Sequence, residues 1–266
     1  MTDLRRNDVF AVGAAYEPYV GRWSRRVAPK FLAWLNIPAQ STWLDVGCGT
    51  GALSQTILEY ASPQAVKGID RSEGFVQYAR EKVADPRVQF EVGDAQAIPD
   101  GNATVDAAVS GLVLNFVPEP QRMVSEMARV TKPGGMVALY VWDYADKMQL
   151  MRYFWDAAAA LDPAAQAFDE GKRFPLCQPE PLVALFKAAG LSEVEVISID
   201  IPTDFVNFDD YWTPFLGGQG SAPGYNMSLN QEQRSALREH LRATLPMETD
   251  GSIHLIARAW AVRGSV

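Results

Sequence analysis

The chain has 266 residues, 48% hydrophobic and 21% charged, a balance typical of a globular protein with a large core. Its 24 basic and 32 acidic residues give a net charge of −8 without a Lys/Arg run, which disfavours a nucleic-acid substrate. Two cysteines and two histidines exclude a disulfide framework and a Cys/His metal cluster, so we expect no metal. No apolar stretch has the length of a membrane span or the position of a secretory signal, and we expect a cytoplasmic protein that acts on a small molecule.

The first predicted element is a helix near the N-terminus. Large apolar and aromatic side chains recur at intervals of four from Tyr19 to Leu35, which predicts one buried face on a helix over residues 16–35. Pro38 ends this segment before a stretch with strand character. Core packing is the simplest interpretation of the buried face, and contact with a ligand is the alternative.

A glycine-rich turn follows the first predicted strand. Residues 43–51 read Trp-Leu-Asp-Val-Gly-Cys-Gly-Thr-Gly, and helical spacing follows over 52–59. This pattern indicates a buried strand, a tight turn and the start of a helix, the first half of a βαβ unit. Glycine adopts positive φ without a Cβ penalty and lets a ligand lie against the backbone, so the turn is a candidate binding site.

Acidic residues stand at the ends of three consecutive predicted strands. Asp45 precedes the glycine turn, Asp70 closes a strand over residues 65–70, and Asp94 follows a strand that begins at Val88. The carboxyl ends of parallel strands meet at one edge of a sheet, where open α/β sheets bind ligands. We therefore expect the three acidic side chains to face one site.

Strands and helices continue to alternate up to Asp143. From Tyr144 the alternation is lost, and residues 205–225 carry many aromatic side chains followed by glycines. Those aromatic residues either cover the core beside a mobile loop or form a lid over a substrate. The further predicted helices are 72–83, 118–132, 148–161, 181–189 and 228–245, and the further predicted strands are 105–112, 136–142, 194–201 and 252–262.

Four motifs, in this order, resemble those of the class I S-adenosylmethionine-dependent methyltransferases. They are Leu44–Gly51, Gly68–Asp70, Gly93–Ala95 and Arg129–Gly135, and the resemblance covers roughly residues 40–145. It implies an α/β, Rossmann-like, doubly wound sheet of seven mainly parallel strands, with helices on both faces and additional lid or cap segments. It also implies transfer of a methyl group from S-adenosylmethionine (SAM) to a small-molecule acceptor at O, N or C, which leaves S-adenosylhomocysteine.

The resemblance further implies one methyltransferase domain over the whole chain, 1–266. Its expected parts are an N-terminal helical lid at 1–40, a SAM-binding core at 41–143, substrate-side cap segments at 144–190 and 202–250, and final strands at 191–201 and 252–262. The expected partner is a small-molecule acceptor, without nucleic acid or a membrane. Monomer and homodimer both remain open.

Roles in the site follow from the resemblance, position by position. Asp45 would meet the ammonium group of SAM, Asp70 would accept from both ribose hydroxyls, and Asp94 would accept from the adenine amine. The other implied cofactor-binding residues are Gly47, Cys48, Gly49, Gly51, Arg71, Ala95, Asn115 and Phe116, with Tyr16, Tyr19 and Arg22 as candidates on the lid. For Phe116, plain loop packing is an equal alternative.

The acceptor side offers candidates but no assigned base. They are Asp143, Tyr144, Arg173, Tyr211, Trp212 and His254. His254 lies within a predicted strand, and this position favours a structural role for it. Alignment of donor and acceptor alone lowers a reaction barrier by about 7–11 kcal/mol in favourable cases, so methyl transfer does not require a catalytic triad.

Two other functions are compatible with parts of the pattern. A nicotinamide-dependent oxidoreductase shares the strand, the glycine turn and the acid after the second strand. However, Gly47-x-Gly49-x-Gly51 lacks the G-x-G-x-x-G spacing of that class. A SAM-binding sensor or accessory protein would keep the acidic residues and lack turnover. We expect the enzyme.

Overall fold

One mixed sheet organises the residues that the computed structural model describes, which are 21–217 and 220–266. Its strands are β1 (Thr42–Val46), β2 (Ala65–Asp70), β3 (Val88–Val92), β4 (Val105–Gly111), β5 (Thr131–Trp142), β6 (Ser192–Phe205) and β7 (Ile253–Ser265). They lie in the order β3-β2-β1-β4-β5-β7-β6, with β1 to β5 parallel and β7 antiparallel to both of its neighbours. The predicted seven-stranded, mainly parallel sheet is confirmed.

Helices cover the sheet and close one edge of it. They are α1 (Arg22–Leu35), α2 (Ala52–Tyr60), α3 (Glu73–Lys82), α4 (Pro120–Val130), α5 (Gln149–Leu161), α6 (Glu170–Arg173), α7 (Pro179–Ala188), α8 (Phe208–Trp212), α9 (Ser221–Ser228) and α10 (Gln231–Thr244). Helix α1 packs against α2, and α4 packs against α7, beside the strands. We call α5, α6, α8, α9 and α10 the cap. Within the described ranges, none of these helices is both long and apolar enough to cross a bilayer.

The sequence character of each strand follows from its place in the sheet. Residues Trp43–Val46 of β1 and Val137–Trp142 of β5 are buried throughout, because helices cover both faces of the central strands. The second half of the edge strand β6, Ile199–Phe205, alternates between buried and exposed residues. One face of this strand is therefore solvated, which is why its sequence shows period two.

The boundary between α4 and β5 differs from the prediction. The helix ends at Val130 rather than at residue 132, and the strand begins at Thr131 rather than at residue 136. Thr131 already pairs with Val105, and the pairing shifts register before Ala107. This irregular stretch contains Pro133, which has no N–H group to donate to a strand ladder.

The helix predicted from Ser228 begins instead at Gln231. The Asn230 side chain accepts from the Gln233 N–H at 2.9 Å, and the Gln233 side chain accepts from the Asn230 N–H at 3.1 Å, which completes a capping box. The Ser228 hydroxyl donates to the Tyr225 carbonyl at 2.7 Å and ends the preceding helix, α9. Residues 221–228 are therefore helical, where the sequence predicted a loop.

The aromatic side chains of residues 205–225 pack inside the cap. Tyr211 and Phe215 are fully buried, and Trp212 is 5% exposed. The ring of Phe215 stacks on Phe154 with centroids 4.5 Å apart, and the Tyr211 hydroxyl donates to the Leu150 carbonyl at 2.9 Å. Of the two interpretations of these aromatic residues, covering the core or forming a lid over a substrate, the first is correct.

Asp106 on β4 ties three segments of the sheet together. Its carboxylate accepts from Lys132 Nζ at 2.7 Å, from Thr42 Oγ1 at 2.6 Å and from Thr42 N at 2.8 Å. The Lys132 ammonium group, followed by the two Thr42 donors, lowers the pKa of Asp106 to about 2.

We predict that Asp106→Asn lowers the free energy of unfolding at neutral pH by about 1 kcal/mol, the value of charged hydrogen bonds discounted for solvent screening. The folded pKa lies below the ordinary value of 3.8, so this stabilisation is present above that value and is lost as the pH falls towards 2. Urea unfolding at neutral pH and at several acidic pH values measures it, with the exposed Asp146→Asn as control. If Asp106→Asn lowers the free energy of unfolding as much in acid as at neutral pH, the stabilising role of the Asp106 carboxylate is contradicted.

Candidate functional site

A cavity of about 800 Å³ lies at the carboxyl edge of the parallel strands. It is lined by the glycine turn after β1, by residues that follow β2, β3 and β4, and by residues of the cap. The predicted site residues that line it are Asp45, Gly47, Cys48, Gly49, Asp70, Arg71, Asp94, Ala95, Asn115, Phe116 and Tyr144. Residues from the sheet edge and from the cap thus share one cavity.

The glycine turn is anchored to the neighbouring strand by its backbone. The N–H groups of Gly47 and Cys48 both donate to the Ile69 carbonyl, at 2.8 and 2.9 Å. Gly47 has φ +75°, and a Cβ there would lie 2.6 Å from the Val113 side chain. Gly49 has φ +52° and open space where a Cβ would stand. The first glycine therefore fits the turn into the protein, and the second leaves the backbone bare towards the cavity.

Gly51 and Cys48 of the same turn differ from these two glycines. Gly51 does not line the cavity: a Cβ there would lie 3.0 Å from Val83 and 3.3 Å from Phe90, so its φ of +83° serves close packing behind the turn. This corrects the expectation that Gly51 contacts the cofactor. Burial, followed by the charges of Asp45 and Asp70, raises the pKa of the Cys48 thiol, which is therefore neutral and not a nucleophile.

Asp45 is a buried carboxylate with unused hydrogen-bonding capacity. Its Oδ2 accepts from Ser54 Oγ at 2.7 Å, while Oδ1 is buried and has no partner among the described residues. The side chain is 1% exposed, and burial raises its pKa to about 7, with a smaller contribution from the charge of Asp70. A buried oxygen without a donor is costly, so the site is suited to a ligand that donates to Asp45.

Asp70 stands at the end of β2, beside the same turn. Its Oδ2 accepts from Gly49 N at 3.0 Å, and its Oδ1 accepts from Ser72 N at 2.8 Å. Burial raises its pKa, and these two backbone donors oppose the rise. Each carboxylate oxygen accepts more than one hydrogen bond, so this fixed carboxylate retains capacity for ligand hydroxyls.

Arg71, Asp94 and Ala95 extend the lining along the ends of β2 and β3. Asp94 is exposed, and its Oδ1 accepts from the Gln96 N–H at 2.8 Å, which fixes the turn after β3. Gly93 lies against Ile69, where a Cβ would stand 3.3 Å from the Ile69 Cβ. The small residue therefore brings the Asp94 turn close to β2.

The loop after β4 supplies a second polar group without a partner. Asn115 lies in a 3₁₀ turn, Leu114–Phe116, and neither Oδ1 nor Nδ2 has a hydrogen-bond partner in the described part of the chain. Both amide atoms are buried, and the residue lines the cavity. Together with Asp45, Asn115 makes the cavity polar at the sheet edge.

Aromatic rings line the cavity next to the cap. The Phe174 ring contacts Phe116 edge-to-face with centroids 5.6 Å apart, and it contacts Tyr144 at 5.5 Å. We call these three residues the ring wall. Glu170, Met151 and Ser221 line the cavity from the cap, and Ser24 lines it from α1. Glu170, Met151, Phe174, Ser24 and Ser221 were missed from the sequence, because no periodic or motif signal marks them.

Several predicted acceptor-side residues lie outside the cavity lining. Asp143 is 2% exposed, and its carboxylate accepts from the Asp146 and Lys147 N–H groups, so it closes a turn. Tyr211 and Trp212 belong to the aromatic packing of the cap. Asp143 and Tyr211, expected as weak catalytic candidates, and Trp212, expected on the acceptor side, are corrected to structural positions.

The remaining candidates also have other partners. His254 is exposed, with Nδ1 2.8 Å from Asp204 Oδ1, on the surface of the β6–β7 ribbon. Arg173 donates to the Ser221 hydroxyl beside the cavity. Arg22 pairs with Asp210 at 3.1 Å, which joins α1 to α8, and it does not line the cavity. Tyr16 and Tyr19 lie outside the described residues, which contain no cluster of metal-binding side chains.

Comparison with known proteins extends this picture. A family model described as a methyltransferase domain matches residues 44–139. Demethylmenaquinone methyltransferase of Halalkalibacterium halodurans is 29% identical over 180 residues, 61% of this chain and 72% of that protein. The 2-methyl-6-phytyl-1,4-hydroquinone methyltransferase of Synechocystis is 29% identical over 187 residues, 69% of this chain and 57% of that protein.

A solved structure shares the fold at low sequence identity. Phosphoethanolamine N-methyltransferase 2 of Haemonchus contortus, in complex with SAM, has a TM-score of 0.59 at 17% identity over 95% of this chain and 56% of that one. The sheet order and the glycine turn define a Rossmann-like α/β protein with a ligand site at the carboxyl edge. Residues 44–139 match the methyltransferase domain, and the named methyltransferase relatives support a class I SAM-dependent methyltransferase with SAM as the cofactor.

His254 offers a test of its surface assignment. The hydrogen bond to Asp204 raises the pKa of His254 above its ordinary value of 6.5, so the ion pair stabilises the fold at acidic pH and is lost as the pH rises through the folded pKa. We predict that Asp204→Asn lowers the pKa of His254 in an NMR titration and leaves methyl transfer unchanged. Loss of methyl transfer in this variant would return His254 to the list of catalytic candidates.

Proposed function

We propose that the protein transfers the methyl group of SAM to a flat, largely apolar phenol or hydroquinone. One observation carries the proposal: a single cavity joins the Asp45 oxygen that lacks a partner among the described residues, and the bare Gly49 backbone, to the three aromatic rings of the ring wall. The first part fits the charged end of the cofactor, and the second part fits an aromatic acceptor.

The residues at the sheet edge fit SAM by their chemistry. Asp45 would accept from its ammonium group, since Oδ1 is a buried acceptor that lacks a donor among the described residues. Asp70 would accept from the ribose hydroxyls, because the backbone N–H groups of Gly49 and Ser72 hold its carboxylate in one orientation. Arg71, Asp94 and Ala95 would border the adenine, and the Asn115 amide would hydrogen-bond the methionine part.

The cap would complete the site by placing the acceptor and excluding water. When bound, SAM supplies a methyl group on a positively charged sulfur, which is already activated for transfer. The protein then has to hold the acceptor in line with that group, and alignment of this kind contributes about 7–11 kcal/mol in favourable cases. The ring wall would present apolar faces to an aromatic ring, and Asn115 lines the same cavity as the ring wall and the glycine turn.

Relatives with hydroquinone acceptors support this acceptor class. Both curated relatives described above carry quinone-type acceptors in their names, demethylmenaquinone in one and 2-methyl-6-phytyl-1,4-hydroquinone in the other. Phe116, an aromatic residue of the ring wall, lines the same cavity. The test also includes an amine acceptor, phosphoethanolamine, for comparison with the phenols.

The acceptor class is tested with isotope-labelled SAM. Purified protein is incubated with 1,4-naphthohydroquinone, catechol, 4-nitrocatechol, ethanolamine or phosphoethanolamine, and the methylated product is identified by mass spectrometry. We expect label in at least one phenol and none in the amines. Label in the amines alone would overturn the acceptor class. SAM binding without label in any of the five compounds would also overturn it.

Asp70 provides the matching test of the cofactor site. Loss of two charge-assisted hydrogen bonds predicts that Asp70→Ala weakens SAM binding by about tenfold or more, measured by calorimetry. Asp250→Ala removes an exposed carboxylate from a turn far along the chain and is the matched control. The thermal midpoint of each variant checks folding. Unchanged affinity in a folded Asp70→Ala protein would contradict the ribose assignment.

A further inference from the structure

A buried glutamate lines the cavity from the cap side. Glu170 is the first residue of α6, is 5% exposed and belongs to the same cavity lining as the glycine turn and the ring wall. The Trp155 indole N–H donates to its Oε2. Glu170 is therefore an acid in the cavity lining whose carboxyl group is oriented by a hydrogen bond from Trp155.

The surrounding residues hold Glu170 in place. Asp169 caps α6 by accepting from the Gly171 N–H at 2.8 Å, and both oxygens of Asp169 accept from the Arg152 guanidinium at 2.8 Å. Arg152 also donates to the Tyr144 carbonyl at 3.0 Å. One ion pair thus connects the start of α6 to the strand end that carries a ring of the ring wall, so the carboxyl and the rings keep a fixed arrangement.

The electrostatic surroundings favour proton uptake by this carboxyl near neutral pH. Burial raises the pKa of Glu170 to about 7, and the charge of Asp169 contributes in the same direction. The Trp155 hydrogen bond and the Arg173 charge act in the opposite direction. Arg152, the other charged group here, is paired with Asp169. A general base is most effective when its pKa lies near the working pH.

A purely structural role does not require an acid at this position. A glutamine would accept the Trp155 hydrogen bond equally well and would not carry the cost of burying an ionisable group. Perturbed acids in cavities are enriched at functional sites for this reason. The presence of an ionisable side chain at Glu170 therefore indicates a chemical role in the cavity.

We propose that Glu170 is a catalytic residue that accepts the hydroxyl proton of a phenolic acceptor bound between the ring wall and the glycine turn. This inference rests on the proposed function. The acceptor O–H bond breaks, its proton moves to the Glu170 carboxylate, and the electron pair stays on the phenolate. The phenolate oxygen, or its ortho carbon, then forms a bond to the methyl carbon while the carbon–sulfur bond breaks and its electron pair stays on sulfur. Attack through carbon gives a dienone, whose ring proton then moves to the carbonyl oxygen and restores the aromatic ring and the hydroxyl. Glu170 returns its proton to solvent after product release.

The test compares two phenols that differ in acidity, with Glu170→Gln as the variant. Catechol keeps its proton at neutral pH, whereas 4-nitrocatechol is largely ionised and needs no base. We expect Glu170→Gln to lower kcat/KM for catechol by about 100-fold or more and to leave that for 4-nitrocatechol within about threefold, since general-base catalysis contributes about 100- to 10,000-fold.

The pH profile gives a second readout. At saturating SAM, wild-type kcat/KM for catechol should fall as the pH drops below about 7, where Glu170 gains a proton, and the variant profile should lack this limb. Glu180→Gln makes the same chemical change at an exposed position and should behave as wild type. SAM affinity and the thermal midpoint of Glu170→Gln show whether the variant is folded.

The outcomes separate the role of Glu170 from the acceptor class. Equal loss for both phenols in a folded variant, or full activity with catechol, would overturn the role of Glu170 while leaving the acceptor class in place. SAM binding without methylation of any phenol by the wild-type protein would overturn the acceptor class, and the role of Glu170 with it.

Discussion

The Ile69 carbonyl, which accepts the N–H groups of both Gly47 and Cys48, is the contact on which the site depends. It bends the chain sharply at the end of β1 and holds the turn against β2. The bend requires positive φ at Gly47, and the Val113 side chain fills the space where a Cβ would stand. Because the turn is fixed in this way, Asp45 is held below it with one buried oxygen without a described partner, and Asp70 is held beside it by the Gly49 N–H. The sheet thus presents two oriented carboxylates to one cavity.

The cap has a different physical basis from the sheet edge. Its interior is a set of packed rings, among them Phe154 and Phe215, which gain their stability from apolar burial and ring contacts. The bidentate pair between Arg152 and Asp169 fixes the start of α6 against this packed interior. The cap can therefore present Glu170 to the cavity without relying on a flexible loop. Polar groups line the cavity at the sheet edge, and apolar rings with one acid line it next to the cap.

The sequence predicted the sheet edge well and the cap poorly. Asp45 and Asp70 lie at the ends of β1 and β2, and Asp94 follows β3. The strand order of a parallel sheet brings these ends to one place, so local pattern located these lining residues. Glu170 comes from an irregular segment whose position depends on tertiary contacts with α5, and no local pattern marks it. Tyr211 has the chemistry of a catalytic residue, but sequence does not show which way a side chain points, and it is buried. The predicted ends of helices and strands were wrong where a single residue alters strand pairing or caps a helix, as at Thr131.

The central claim is that the buried Asp45 carboxylate receives the ammonium group of SAM. Burial raises its pKa to about 7, so part of the protein carries a proton there at neutral pH, and binding of a cation should expel it. Calorimetric titration of SAM in two buffers with different heats of ionisation measures this proton release. The account predicts that wild-type protein releases up to about half a proton more than Asp45→Asn at pH 7. Equal proton release by the two proteins would contradict it.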